Sequence, residues 1–438
     1  MTKNPGVFSP AWSRREFLSR SALTGVGAGL IRAGVFAPFV SRAHADSKTI
    51  NVLSLGEGIF GEPLVKLSGE FTAATGIKVN NVTMGYNEAM QKEAAVFAAQ
   101  SPELDVVQVD YMFLKGFAKA GHLAVLDDGL IAADEMADFY SDTPATLKEV
   151  WSLDGKTYGL ATIGNCQNFI YNAAHLQDAG LAPPDTWADV LSSAQKVVDP
   201  ARNRYGFVAG TERLTKAVLV WLPIAWANGA ELFDEGWRPV FNSAAGVDSL
   251  SFLLELMKTM PPGGGAYTES DEVKALATGL ATLDPVAWIP DAIKIADEQT
   301  RPQLATKVAP MGSVRRAPVM GGIGLTVSSY SANQESAAAF VAWFNSRDVQ
   351  TNKIVQNGGQ PCRISAWEAN AAAQPWFPSL SENLKVAKPL PQIPEWGQID
   401  AAISKQLSSA FAGEIDGKTA LDQAAAAVDE VMQDAGYN

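Results

Sequence analysis

Thr49-Ile50-Asn51-Val52-Leu53-Ser54-Leu55 is the stretch on which the fold turns. It is short, apolar and β-branched, and it runs into Gly56-Glu57-Gly58, so it reads as a strand that ends in a turn. The next residues, Pro63 to Thr75, have helical spacing and stop at Gly76, a good C′ residue. Ile77 to Val82 alternates as a second strand, Asn87 to Gln100 carries a helical apolar stripe, and Asp105 to Asp110 is a third strand. A helix over Phe113–Ala120 follows and stops at Gly121. Strand, helix, strand, helix in this order predicts an α/β sheet covered by helices.

The texture changes downstream. Leu153-Asp154-Gly155-Lys156 is a turn, and Asp185-Thr186 caps a helix from Trp187 to Val198. Helices dominate to about residue 300, strands return at 307–310 and 324–327, and 396–432 is Ala-rich and helical. Strand-rich pieces are thus split along the chain, which predicts two lobes with interleaved segments.

Upstream, Ser13-Arg14-Arg15-Glu16-Phe17-Leu18 precedes a weakly apolar run and Ala43-His44-Ala45. A charged start, an apolar middle and an A-x-A site in that order read as an export signal cleaved after Ala45. Its Ser-Arg-Arg-x-Phe-Leu core resembles a twin-arginine signal. A membrane anchor would need about 20 apolar residues, and here Arg32 and four glycines interrupt the run. The expected compartment is the periplasm. Removing residues 1–45 from the 438 leaves 393, enough for two domains with cores. The whole chain carries −13; the leader holds six Lys/Arg and one Glu, so the remainder carries −18. That balance repels nucleic acid and anionic lipid.

Outside the leader only His122 and His175 remain, far apart, with no HExxH or CxxC spacing, so no metal and no cofactor is expected. Cys166 and Cys362 are either a disulfide or two separate buried thiols. The charge-free run 217–230 is short and broken by Pro223, and reads as a core helix with Trp221 inside.

Several segments, in order, resemble the solute-binding proteins of carbohydrate ABC importers, the group related to maltodextrin-binding protein. They are Phe71–Val79, Asp105-Val106-Val107 through Ala118–Leu123 to Asp128, Gly155–Leu160, Tyr171-Asn172 with Ala179–Trp187, Ser328–Phe344 and Ala420-Leu421-Asp422. The stretch Ala179-Gly180-Leu181-Ala182-Pro183-Pro184-Asp185-Thr186-Trp187 is the most specific of them. The resemblance implies a type II periplasmic-binding-protein fold, with crossing hinge segments and a ligand cleft between two lobes. Mapped on this chain, lobe one is 46–160 and 308–350, and lobe two is 161–307 and 351–438. The implied function is that of a monomeric binding protein, not an enzyme. It would take a sugar or polyol and pass it to the transmembrane subunits of a permease. A polyamine- or amino-compound-binding protein of the same fold is the alternative, and an exported enzyme such as a paired-carboxylate glycosidase is the more distant one.

Ligands of open α/β sheets lie beyond the C-terminal ends of strands. That rule selects Glu57, the loop Tyr86-Asn87, and Asp110-Tyr111. Sugar rings pack their C–H faces on flat aromatics, which selects Trp226, Trp288 and Trp396, with Asn228 beside the first. The family's glycine-rich strand corresponds to Gly321-Gly322-Ile323, where Ile323 replaces an aromatic platform. The resemblance also brings Cys166-Gln167 and Pro361-Cys362-Arg363 near the cleft floor. This favours the disulfide and makes Gln167 and Arg363 ligand candidates; for Arg363 the competing reading is a salt bridge.

Overall fold

The computed structural model describes residues 49–437 apart from 56–57, 213–214 and 289; the side chains of Ile59, Tyr86 and Asn87 are also left undescribed. The segment expected to be an export signal and Glu57 therefore lie outside the described residues. The described residues form eleven strands: β1 Thr49–Leu55, β2 Lys78–Met84, β3 Val106–Asp110, β4 Ser152–Leu153, β5 Lys156–Thr157, β6 Gly159–Cys166, β7 Asn168–Asn172, β8 Tyr205–Phe207, β9 Ala281–Ala287, β10 Leu304–Lys307 and β11 Met320–Val327. The first sheet has the order β2-β1-β3-β11-β6, the second β10-β7-β9-β8, and β4 and β5 form a small hairpin.

The opening stretch becomes β1, flanked by β2 and β3 in parallel. Parallel neighbours need crossover helices, and these are Gly58–Thr75 and Tyr86–Ala98. Gly76 sits at φ +75, and its N–H closes the first helix on the Thr72 carbonyl at 2.8 Å, a conformation that a side chain would strain. Thr186 and Asp189 make a reciprocal capping box on the helix Trp187–Val197. The run with Pro223 is the helix Thr215–Ala227, buried from Ala217 onward. The Ala-rich C-terminal stretch is two helices, Trp396–Phe411 and Gly417–Asp434.

β11 runs antiparallel to both β3 and β6, so β1, β2, β3 and β6 end on one edge of the first sheet, where β11 begins. The chain changes sheet at Gln167, between β6 and β7, whereas the boundary expected at residue 160 falls inside β6. Three segments meet at this crossing. The Gln167 N–H donates to the Val319 carbonyl at 3.0 Å, and the Val319 N–H returns to Gln167 Oε1 at 3.0 Å. Met320 and Lys388 then bond through the Met320 N–H and Lys388 carbonyl, and the Lys388 N–H reaches Pro318. β8 and β9 are parallel, and the end of β9 lies opposite Asn168, the first residue of β7. The C-terminal ends of β8 and β9 therefore point back toward the same crossing. Two strand-end edges face one hinge, the placement in which open α/β sheets hold ligands.

Candidate functional site

Trp288 follows the last residue of β9 and is half-buried. Its indole reaches the first sheet: a Cβ on Gly321 would stand 2.9 Å from Trp288 Cζ3 and 3.3 Å from Asn165 Nδ2. Gly321 and Asn165 are register partners on β11 and β6. Only a residue without a side chain leaves room for the indole here. Asn165 is 6% exposed and its Oδ1 accepts no hydrogen bond from the described residues. A buried amide oxygen without a donor is costly to the folded protein. An aromatic face and a free acceptor thus converge where the two sheets meet.

The neighbouring register positions continue the edge. Gly322 pairs with Gly164 and stands against the Tyr111 ring. Ile323 pairs with Ile163 on one side and with Asp110 on the other. Asp110 ends β3 and caps the helix Tyr111–Lys119 by accepting the Met112 N–H at 3.2 Å. Beside it, burial and then the Asp110 charge hold the Glu93 carboxyl well above the usual carboxylate range. Such a carboxyl stays protonated longer than an exposed one and can donate as well as accept. Glu93 sits on the helix Tyr86–Ala98 and is 2% exposed. Leu55, Ala89, Ile163 and Ile323 form a small apolar cluster here, against which the half-buried Phe60 and Met84 pack.

A sequence profile described as bacterial extracellular solute-binding protein matches residues 58–351. The chain belongs to that family. A probable amino-acid ABC transporter periplasmic-binding protein of Sinorhizobium fredii is 28% identical over 97% of this chain and 99% of its own. An arabinooligosaccharide-binding protein of Bacillus subtilis is 25% identical over 67% of this chain and 68% of its own. Among solved structures, an Agrobacterium radiobacter ABC solute-binding protein in complex with ribitol superposes with TM-score 0.76 at 23% identity, covering 87% of this chain and 98% of that one. Maltose-bound MalE3 of T. maritima gives 0.76 at 22% identity, covering 87% and 99%. The mixed α/β fold is that of the periplasmic binding proteins.

Within that fold the other sequence candidates fall away from the open edge. Tyr111 is buried: its hydroxyl donates to the Met320 carbonyl and accepts from the Leu390 N–H, both at 3.0 Å, so it clamps two hinge segments together. Gln167 is buried too, with Nε2 on the Leu219 carbonyl and Oε1 on the Val319 N–H. Both of its polar ends are spent within the protein. Trp226 is buried in the helix Thr215–Ala227 with Lys388 Nζ 5.0 Å from its ring centroid, and Trp396 is buried at the head of its own helix. Trp221 is a core residue, as expected. Asn228 closes its helix through Nδ2 on the Ile224 carbonyl and accepts the Ser313 N–H.

Two expectations are corrected outright. Arg363 does not offer its guanidinium to a ligand: it is 2% exposed, pairs with Asp138 at 2.9 Å and Asp142 at 3.4 Å, and donates to the Asn345 carbonyl. Cys166 and Cys362 are free thiols. Residues 360–362 lie along β6 so that Cys362 Sγ meets the Ala161 carbonyl at 3.0 Å. Ala161 is five residues before Cys166 on the same strand, about 16 Å at the usual rise, which no disulfide spans. Burial pushes the Cys362 thiol up to about 12.

Sequence reasoning missed Asn165 and Glu93. The end-of-strand rule could have found Asn165, one residue before the end of β6. Glu93 gives no such signal, since it lies within a helix that also carries the exposed Glu88, and the sequence alone does not tell the two apart.

Proposed function

We propose that this chain is the exported, substrate-binding component of an ABC importer and takes a sugar or polyol in the cleft between its two sheets. The observation that carries this is the meeting of Trp288, Gly321 and Asn165 across the hinge. A ring's C–H face suits an indole, and a hydroxyl suits an amide oxygen that lacks a donor. A ligand held by both sides stabilises the closed state by its differential contacts. The two lobes would move about the crossings at 167 and 318–320, and the closed form would then dock on the permease. The arabinooligosaccharide-binding relative and the ribitol and maltose complexes support the ligand class. The twin arginine would carry the folded chain out of the cytoplasm, with cleavage after Ala45.

Calorimetric titration of the mature protein with pentitols, hexitols, monosaccharides and short oligosaccharides tests the reading, together with mass spectrometry of any co-purifying ligand. Binding of a polyamine or amino acid with no response to any polyhydroxylated compound would transfer the assignment to amino compounds. That second reading is favoured by the name of the Sinorhizobium relative. Amino-terminal sequencing of protein secreted with and without Arg14-Arg15→Lys-Lys tests the export route.

A further inference from the structure

Behind the cleft edge of the second sheet, two carboxyl groups face each other in the protein interior. Asp284 lies in the middle of β9 and is 0% exposed; Glu272, on the helix Glu269–Ala277, is 3% exposed. Glu272 Oε2 accepts the Gly210 N–H at 2.6 Å, and Asp284 Oδ1 accepts the Val286 N–H at 3.1 Å. Counted as an ionised carboxylate, Asp284 leaves Oδ2 with no donor among the described residues. Counted as a carboxylic acid, it donates to Glu272, its hydrogen-bond partner.

The surroundings offer little to a second negative charge. Lys216, on the helix Thr215–Ala227, approaches the pair, but its ammonium is committed to Glu269 at 2.6 Å. Glu269 adds a like charge from the same helix as Glu272, and Asp291 lies within its field. On β9 itself, Thr282 binds His175 Nδ1 at 3.0 Å, and burial keeps that imidazole neutral. Tyr267, nearby, holds Thr211 and Glu212 through its carbonyl. The helix Trp187–Val197, which covers β8 and β9, turns Trp187, Val190, Ala194 and Val197 inward and brings no charge. Two ionised carboxylates in so dry a site repel, and one of them keeps its proton.

The proton matters because of what Glu272 holds. Gly210 follows the C-terminal end of β8, and the next two residues hang from Tyr267 and Gly264. We propose that Asp284 and Glu272 share a single proton which, by keeping Glu272 on the Gly210 N–H, holds the cleft edge of the second sheet in its binding form, so that ligand affinity depends on pH. This rests on the cleft reading given above. Loss of the proton costs Glu272 its place between Asp284 and Gly210 and frees the segment after β8. The stabilisation is whole at acid pH and is lost as pH rises through the pair's titration, because the folded state binds a proton that the unfolded chain releases earlier.

The test uses the mature wild-type protein, Asp284→Asn and Glu272→Gln. Either amide supplies the donor without a proton. The expected result is a wild-type melting temperature that falls with rising pH and a flatter profile in both variants. A protonated-carboxyl infrared band at neutral pH should disappear in each variant. The affinity for the sugar or polyol found by titration should fall in the wild type by at most about tenfold per pH unit, the limit for one proton, and in neither variant. Wild-type and variant profiles that superimpose, or an unchanged infrared band, would overturn the shared proton. A pH-dependent melt with a pH-independent affinity would overturn its control of binding. If no ligand binds at all, the cleft reading fails, and the melting and infrared measurements still decide the pair. Should one variant not fold, the other carries the same comparison.

Discussion

The two sheets turn the same kind of edge toward the hinge and furnish it differently. The first presents two glycines, an amide oxygen without a donor and an apolar cluster that includes Ile323. The second sends one aromatic, Trp288, across the gap, and keeps its carboxyls behind the edge. On the function proposed above, recognition would be split, with shape and an amide oxygen on one side and a flat apolar face on the other, and closing the hinge would join the halves. A ligand that touched one side alone would gain nothing from closure.

Arg363, the cation that the sequence reading selects, belongs to neither half. Arg363 stands behind the first sheet, where Asp138 and Asp142 take its charge and Arg347 shares both carboxylates. The largest effect we expect follows from this. Arg363→Met should lower stability by about 3 kcal/mol: Arg347 still pairs with both carboxylates, but the charged hydrogen bonds of Arg363 are lost and the Asn345 carbonyl is left without its donor. Ligand affinity of the folded fraction should stay as it was. A denaturant melt and a titration on the same sample check both halves; lost affinity at intact stability would return Arg363 to the cleft.

Next in size is Trp288→Ala. If the second sheet contributes chiefly its indole, affinity should fall by about 2 kcal/mol or more, as for a central aromatic anchor, with little change in melting temperature because the ring is half-buried. An unchanged titration would remove the aromatic half of the comparison. Gly321→Ala probes the same contact from the opposite sheet. The added methyl would sit 2.9 Å from the indole, so the ring must move, at a cost of about 1–3 kcal/mol for an overpacked site. Loss of affinity in Gly321→Ala without further loss in the double variant with Trp288→Ala would show that the glycine acts through the tryptophan.

Much of the fold was legible because local chemistry and global order agree. The first three strands and two helices follow from alternation, helical spacing and the stops at Gly76 and Gly121, which adopt φ of +75 and +76. The hinge was less legible. It is made by Gln167, Val319 and Lys388, and nothing local in any of these marks a partner more than 60 residues away. Trp288 is selected as a flat aromatic along with Trp226 and Trp396, and residue type alone does not separate it from those two buried rings. Arg363 could not be read either, since a guanidinium fork suits ligand hydroxyls and protein carboxylates alike. The cysteine pair misled for a similar reason: an even count of cysteines says nothing about their separation, and the register of residues 360–362 on β6 decides it.

The smallest effect concerns the second sheet's far face, where His175 donates to or accepts from Thr282. Burial lowers its pKa from the model-peptide value near 6.5 to about 4. Between those two values the unfolded chain binds a proton that the folded one refuses, so stability falls as pH drops through this window and is steady above it. The expected loss is about 1 kcal/mol, since neighbouring solvent softens the penalty. His175→Gln should remove this loss from the melting profile between about pH 6.5 and 4, and leave the alkaline side untouched. The Asp284–Glu272 pair acts in the opposite sense, losing stability as pH rises above the ordinary carboxylate range, so the two contributions offset each other between about pH 4 and 6.5 and the pair's loss stands alone above that window. Removing one group at a time then separates the acid limb from the alkaline limb. If His175→Gln altered the alkaline limb instead, the imidazole and the carboxyl pair would be one coupled system across β9 rather than two.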